Sequence, residues 1–129
     1  MRILLVVIAC AVLLFVVFPP FACKVIRDDF RPVAALRELT DIRAAQDAYR
    51  SEHGRYAINF AELSRTQLGQ PRAGYAFRMT SRPEIYEVHA DHMGCKPAET
   101  CRSFYLDQTG VIRERRGSGP ATAHSDPIR

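Results

Sequence analysis

Residues 33–54 read VAALRELTDIRAAQDAYRSEHG, and this stretch decides the fold of the chain. Its apolar side chains recur at steps of three and four residues, which places them on one face of an α-helix. They are Leu36, Leu39, Ile42, Ala45 and Tyr49. Pro32 suits the first turn of a helix, and Gly54 suits the position just after its last residue. We therefore predict one amphipathic helix about 30 Å long, with an apolar stripe that the rest of the chain must cover.

Short runs of alternating apolar and polar residues follow this helix. They are GYAFRMT (74–80), IYEVHA (85–90), RSFYLD (102–107) and GVIR (110–113). In the second run, Tyr86, Val88 and Ala90 would share one face, with Glu87 and His89 on the other. Alternation interrupted by turn residues is typical of an antiparallel meander. Because one long helix packed across a small antiparallel sheet buries both apolar faces, we predict an α+β fold.

Twenty-one consecutive residues before the helix, Ile3–Cys23, carry no charge. About 20 apolar residues suffice to cross a bilayer, so we predict an N-terminal transmembrane helix that remains as an uncleaved anchor. Lipidation at Cys23 and ordinary signal cleavage are the two alternatives. The predicted boundaries are 1–23 for the anchor, 24–116 for the α+β domain and 117–129 for the tail. The tail is polar and rich in Gly and Pro, and we expect it to be disordered.

Two opposing signals bear on the side of the membrane that holds the domain. Lys24 and Arg27 follow the apolar segment, and the positive-inside rule would then keep the domain in the cytoplasm. Cys95 and Cys101 form an even pair in the polar part, which suits a disulfide in an oxidising compartment. We favour the second signal and predict a bacterial inner-membrane protein whose soluble domain lies in the periplasm.

Several strings of the chain resemble type IV pilins and type II secretion pseudopilins. Residues 42–63, IRAAQDAYRSEHGRYAINFAEL, resemble the end of the pilin helix and the turn after it. GYAFRM (74–79) resembles the first strand, and CRSFYLDQTGVIR (101–113) resembles the closing hairpin. The resemblance covers roughly residues 34–113. It implies a pilin-like head and a structural or interaction role, with the lipid bilayer and other membrane or pilin-like proteins as partners.

The N-terminal segment departs from the pattern of filament-forming pilins. In that family the leader ends in a glycine, and a glutamate lies five residues into the mature helix. This sequence has no glycine before Gly54 and no glutamate before Glu38. The resemblance therefore implies a pilin-like head without the usual prepilin leader motif.

The densest group of reactive side chains lies between the second and third alternating runs. It consists of His89, Asp91, His92, Cys95 and Cys101. Imidazole with thiolate suits zinc, but the five residues between the cysteines match none of the common zinc motifs. We favour a disulfide between Cys95 and Cys101 that closes a short surface loop. Two free thiols, or a metal site that uses His89, Asp91 and His92, are the alternatives.

Composition and motifs narrow the class of function. The net charge of +4 is modest and spread along the chain, so we expect no nucleic-acid partner. Because no nucleophile elbow, phosphate-binding glycine loop or zinc-protease motif occurs, we predict no catalytic residues, no cofactor and no small-molecule substrate.

We interpret the chain as a non-enzymatic, single-pass membrane protein whose pilin-like domain is a structural or interaction component of a secretion or pilus-type system. One alternative is an accessory single-helix subunit of another membrane complex. The other is a membrane-anchored domain that responds to metal or redox state.

Overall fold

The computed structural model describes residues 31–63, 67–96 and 100–128. These residues form helix α1 (Arg31–His53), a 3₁₀ turn (Phe60–Glu62) and a sheet of five strands. The strands are β1 (Tyr75–Arg82), β2 (Ile85–His92), β3 (Arg102–Asp107), β4 (Ile112–Arg116) and β5 (Asp126–Pro127). Each strand pairs antiparallel with the next one along the chain. The described part of the chain is therefore a helix and an antiparallel meander.

Helix α1 begins and ends where the sequence indicated. Pro32 lies in its first turn. Gly54 follows the last helical residue with a φ of 71°, a left-handed conformation that glycine adopts without strain. The Gly54 N–H donates to the Arg50 carbonyl at 2.8 Å and closes the last turn. Leu39 and Ile42 are fully buried, and the rest of the predicted apolar stripe packs partly buried against the core.

One face of the sheet carries the core. Alternate residues of the first three strands share this face, as the two-residue period of a strand requires. The buried ones are Tyr75, Tyr86, Val88, Ala90, Phe104 and Leu106. The other face, which we call the polar face, is defined by a row across β1 to β4 that consists of Arg78, His89, Tyr105 and Arg113. Helix α1 contacts β2 and β3, so its apolar stripe covers the first of these faces.

A charged side chain of α1 is also buried, which the apolar spacing did not predict. Glu38 is 2% exposed, and its Oε1 accepts a hydrogen bond from the Gly69 N–H at 2.9 Å. Its Oε2 lies 3.3 Å from the Arg72 guanidinium. A buried carboxylate is tolerated only with such partners, because losing its hydration costs free energy. The contacts of Glu38 thus hold the segment before β1 against the first half of α1.

The predicted fold class is corrected for the described residues, which form one helix and a sheet without a membrane-spanning helix. Among the residues that the structure describes, no helix is both long and apolar enough to cross a membrane. Helix α1 is long enough, with 23 residues. It carries charged side chains such as Arg37, Asp41 and Arg43, however, and charged groups are unfavourable in hydrocarbon. The predicted anchor, residues 1–23, lies outside the described residues. The observed architecture is one helix with a five-stranded antiparallel sheet.

Residues 117–128 are ordered, in contrast to the disorder that we expected for residues 117–129. Strand β5 pairs with β4, and the Ile128 N–H donates to the Ile112 carbonyl at 2.9 Å. Ala121 is fully buried. The sequence pattern missed this strand because two residues are too few to show an alternation.

Candidate functional site

The connection between β2 and β3 is the candidate site, because it carries the reactive side chains that the sequence singled out. Cys95 and Cys101 form a disulfide there, with their Cα atoms 6.0 Å apart. We call residues 93–101 the cystine loop. Backbone hydrogen bonds hold both of its ends: the Met93 N–H donates to the Gly74 carbonyl at 2.8 Å, and the Gly117 N–H donates to the Cys101 carbonyl at 2.9 Å.

The cystine loop lies at the end of the domain where α1 begins. Gly74, which accepts the hydrogen bond from Met93, has the Arg31 side chain beside it. Arg31 is the first residue of α1. The turn between β3 and β4 lies at the other end of the sheet, separated from the loop by the length of β3, about 17 Å. The loop and this turn therefore present two independent surfaces.

Strand geometry divides the predicted cluster of five reactive side chains into two groups. Successive residues of β2 point to opposite faces of the sheet. His89 and Asp91 consequently lie on the polar face, whereas His92 lies on the face that carries the core. Only His92 of these three lies near the sulfur atoms. The alternative of a metal site that uses all three side chains is therefore not supported, because the three do not lie together as one group.

Asp91 and His89 have other contacts on the polar face. An oxygen of the Asp91 carboxylate lies 3.5 Å from the Arg78 guanidinium. The His89 ring packs edge-on against Tyr105, with ring centroids 5.2 Å apart, and its Nε2 lies 4.0 Å from the Glu87 carboxylate. This part of the cluster is therefore built as ion pairs and packing across neighbouring strands.

Tyr105 is almost completely buried although it lies on the polar face. It is 3% exposed. This burial, together with the nearby carboxylates of Glu87 and Asp107, raises the pKa of Tyr105 to about 12. Its side chain thus remains a neutral phenol across the physiological pH range and supplies no charge to this face.

His92 is positioned by a tyrosine of the core. It pairs in register with Tyr75 across β1 and β2, and the two rings meet edge to face with centroids 5.3 Å apart. The Tyr75 hydroxyl donates to the Arg102 carbonyl at 2.8 Å, which anchors this ring to the start of β3. The His92 Nδ1 is buried and has no hydrogen-bond partner among the described residues.

The structure brings His92 together with both cysteines. A ring nitrogen of His92 and the sulfur atoms of Cys95 and Cys101 all lie within 4.8 Å of one another. Part of this arrangement could be predicted from the sequence. Alternate residues of a strand share one face, and His92 comes two residues after the core residue Ala90. The sequence could not show that the loop returns Cys101 to the same place.

An exposed apolar side chain lies at the start of the cystine loop, and no sequence pattern had marked it as a candidate site residue. Met93 is 48% exposed at the first position of the loop. At the opposite end of the sheet, Val111 is 38% exposed beside the turn between β3 and β4. These two residues offer comparable apolar groups at the two ends of the domain.

Comparison with known proteins finds no match among protein-family models, curated proteins or solved structures. The resemblance to pilins and pseudopilins therefore stays a prediction from the residues quoted above.

Proposed function

We propose that this chain is a non-enzymatic docking subunit whose pilin-like domain works in the periplasm as a structural or interaction component of a secretion or pilus-type system. The observation that carries the proposal is the exposed Met93 side chain, which lies two residues before the loop that the Cys95–Cys101 disulfide closes. The Met93 N–H donates to the Gly74 carbonyl at 2.8 Å, so the backbone at Met93 is held in place and a partner can bury its apolar side chain at a small cost in conformational entropy.

The order of elements supports the pilin-like part of this proposal. A long helix is followed by a loop and then by a meander in which each strand pairs with the next. This is the order that the resemblance implies. The proposed compartment is supported by the disulfide, because such bonds persist in oxidising environments and are rare in the cytoplasm.

The predicted attachment to the bacterial inner membrane depends on residues 3–23. They lie outside the described residues, so the attachment stays a prediction from the sequence. The docking proposal does not depend on it, since the cystine loop belongs to the part of the chain that the structure describes.

The chemistry of the loop indicates the kind of partner surface that it fits. Methionine is flexible and polarisable, and it adapts to apolar pockets of irregular shape. Interfaces commonly gain most of their affinity from a few buried side chains surrounded by weaker contacts. We therefore propose that Met93 enters an apolar pocket of another pilin-like or membrane protein of the same system.

Site-specific photocrosslinking in the native host tests this proposal. A photoreactive phenylalanine derivative is placed at Met93 in the full chain, and the matched control carries it at Val111. We expect the Met93 position to yield a crosslink to a pilin-like or secretion component, identified by mass spectrometry, and the Val111 position to yield much less. Equal crosslinking at both positions would overturn the assignment of the docking surface to the loop.

A genetic experiment tests the functional part of the proposal. Deletion of the gene should impair protein secretion or the display of surface filaments, and Met93→Asp should reproduce the defect while Val111→Asp does not. Normal secretion and normal filaments in the deletion strain would contradict this role. A crosslinked partner from an unrelated membrane complex would instead favour the alternative of an accessory subunit.

A further inference from the structure

His92, Cys95 and Cys101 bring three potential metal ligands together, although the two sulfur atoms are joined in a disulfide. Their three potential ligand atoms lie within 4.8 Å of one another. The His92 Nδ1 is buried and has no hydrogen-bond partner among the described residues. The His89 Nδ1 and the Asp91 Oδ1 also lack a hydrogen-bond partner in the part of the chain that the structure describes, so it is the position of the His92 ring beside the two sulfur atoms, together with its unpaired nitrogen, that points to a metal ion.

The distances suit zinc after a small local adjustment. With Zn–S bonds of about 2.3 Å and Zn–N bonds of about 2.0 Å, the ligand atoms of a tetrahedral site lie roughly 3.5–3.8 Å apart. The two sulfur atoms, about 2.0 Å apart in a disulfide, would separate by about 1.7 Å, and the imidazole nitrogen would approach them by about 1.3 Å at most. The Cα atoms of the two cysteines are already 6.0 Å apart, so the thiolates can separate without a large shift of the backbone.

We propose that reduction of the Cys95–Cys101 disulfide creates a zinc site, in which both thiolates and the His92 imidazole bind one Zn²⁺. A water molecule completes the tetrahedron, since three protein ligands leave one position open. This site goes beyond the docking role and does not rest on it. His89 and Asp91 are not ligands of this site, because they lie on the opposite face of β2.

The chemical step balances with a dithiol as the reductant. One thiolate of the dithiol attacks a sulfur of the Cys95–Cys101 bond, and a mixed disulfide forms. The second thiol of the dithiol then displaces the protein sulfur, which leaves two cysteine thiols and an oxidised dithiol. Two electrons pass to the protein in this exchange. Zn²⁺ binding releases one proton from each cysteine thiol, because the thiolate is the ligand.

The test uses the full chain, purified in detergent, with Cys10 and Cys23 replaced by Ser so that only the two loop cysteines supply thiols. A phosphine is the laboratory reductant, since it is converted to its oxide and introduces no competing thiol. Zinc affinity and stoichiometry are measured by competition with a chromophoric chelator. We expect one Zn²⁺ per reduced chain and at least about 100-fold weaker binding to the oxidised chain, because a disulfide offers no thiolate ligand.

Cobalt serves as a spectroscopic probe of the same site. The reduced chain with Co²⁺ should show thiolate-to-metal charge transfer and the visible bands of a tetrahedral ion. Cys95→Ser with Cys101→Ser should abolish both signals. His92→Gln should weaken Zn²⁺ binding about tenfold or more. The matched control His89→Gln, on the same strand but on the opposite face, should leave the affinity unchanged.

Because His92 packs against Tyr75, a His92→Gln chain that failed to fold would also lose zinc binding. A second measurement therefore uses the chain without this substitution. In the chain with both histidines intact, acylation by diethyl pyrocarbonate is mapped by peptide mass, with and without Zn²⁺. Zinc should protect His92 and leave the reactivity of His89 unchanged. The proposal is overturned by any of three results: absence of binding to the reduced chain, equal binding to the oxidised chain, or zinc binding without protection of His92.

Discussion

Gln46 and Ala57 exchange two hydrogen bonds between helix α1 and the segment that follows it. The Gln46 Nε2 donates to the Ala57 carbonyl at 3.1 Å, and the Ala57 N–H donates to the Gln46 Oε1 at 2.9 Å. Both residues are fully buried. The Nε2 also lies 3.1 Å from the Met79 sulfur on β1. One amide side chain thus satisfies both backbone groups of a buried residue and links α1 to the sheet.

Replacement of this amide should destabilise the domain strongly. Gln46→Ala leaves the Ala57 N–H and carbonyl buried without their partners, and each such group costs about 1–3 kcal/mol. We expect the free energy of unfolding to fall by about 2–6 kcal/mol in total. Urea titration followed by tyrosine fluorescence measures the change, since the chain has five tyrosines and no tryptophan.

Glu52→Ala is the matched control for Gln46→Ala. Glu52 lies on the same helix but is exposed, so its removal should change the free energy of unfolding by no more than about 0.5 kcal/mol. Equal effects of the two substitutions would contradict the structural role of the Gln46 amide.

The C-terminal segment offers a test of its packing. Ala121 is fully buried, whereas Ala123 is exposed two residues later. Ala121→Asp would bury a carboxylate and should lower the free energy of unfolding by about 2–4 kcal/mol, while Ala123→Asp should be nearly neutral. Thermal unfolding monitored by circular dichroism compares the two variants. A disordered segment would tolerate both substitutions equally.

The disulfide makes a prediction about thiol reactivity and stability. In protein isolated from its native host without reductant, Cys95 and Cys101 should resist alkylation until a reductant is added, as judged by peptide mass. Cys95→Ser with Cys101→Ser should lower the free energy of unfolding by about 2 kcal/mol, because the bond constrains a short loop of the unfolded chain. Alkylation of both cysteines before reduction would exclude the disulfide in the cell.

Acid should weaken the ion pair between Arg55 and Glu62, which closes the turn after α1. The Arg55 guanidinium, and then the Ile58 N–H, lower the pKa of Glu62 from its ordinary value of 4.5 to about 2. In the structure, the Glu62 Oε2 lies 3.0 Å from both the Arg55 Nη1 and the Ile58 nitrogen. The unfolded chain therefore binds a proton at a higher pH than the folded chain does.

The sign of the effect follows from this difference in proton binding. The stabilisation by the Glu62 carboxylate is fully present above about pH 4.5 and is lost as the pH falls toward about 2. Urea titrations at several pH values should show the difference in unfolding free energy between the natural chain and Glu62→Gln shrinking over this range. Glu52→Gln, at an exposed site of α1, is the control. A difference that does not vary with pH would contradict the role of the Arg55–Glu62 contact.

The sequence was most informative where periodicity is strong. The apolar spacing of α1 and the alternation in β1 and β2 are set by backbone geometry, so the helix and the core face of these strands could be predicted. Periodicity alone does not identify buried polar side chains. Glu38 and Gln46 are polar, and they are buried because later parts of the chain fold back onto α1. Gly69 and Arg72 contact Glu38, and Ala57 contacts Gln46.

The candidate site shows the same division between local pattern and long-range contact. The sequence placed His89, Asp91, His92 and two cysteines close together along the chain. Which of them meet depends on the face of the strand, and on the path by which the chain returns from Cys95 to Cys101. The tertiary structure selects His92 and separates His89 and Asp91 from the sulfur atoms.

The sequence by itself determined the local elements of this protein: the amphipathic helix, the alternating strands, the glycine that ends α1 and the pair of cysteines. These follow from interactions between residues close in the chain. Only the tertiary structure decided that β5 joins the sheet, that the amide of Gln46 satisfies Ala57, and that His92 lies with the disulfide. The physical reason is that these contacts join residues brought together by strand register and by the packing of α1 on the sheet, neither of which a local pattern specifies.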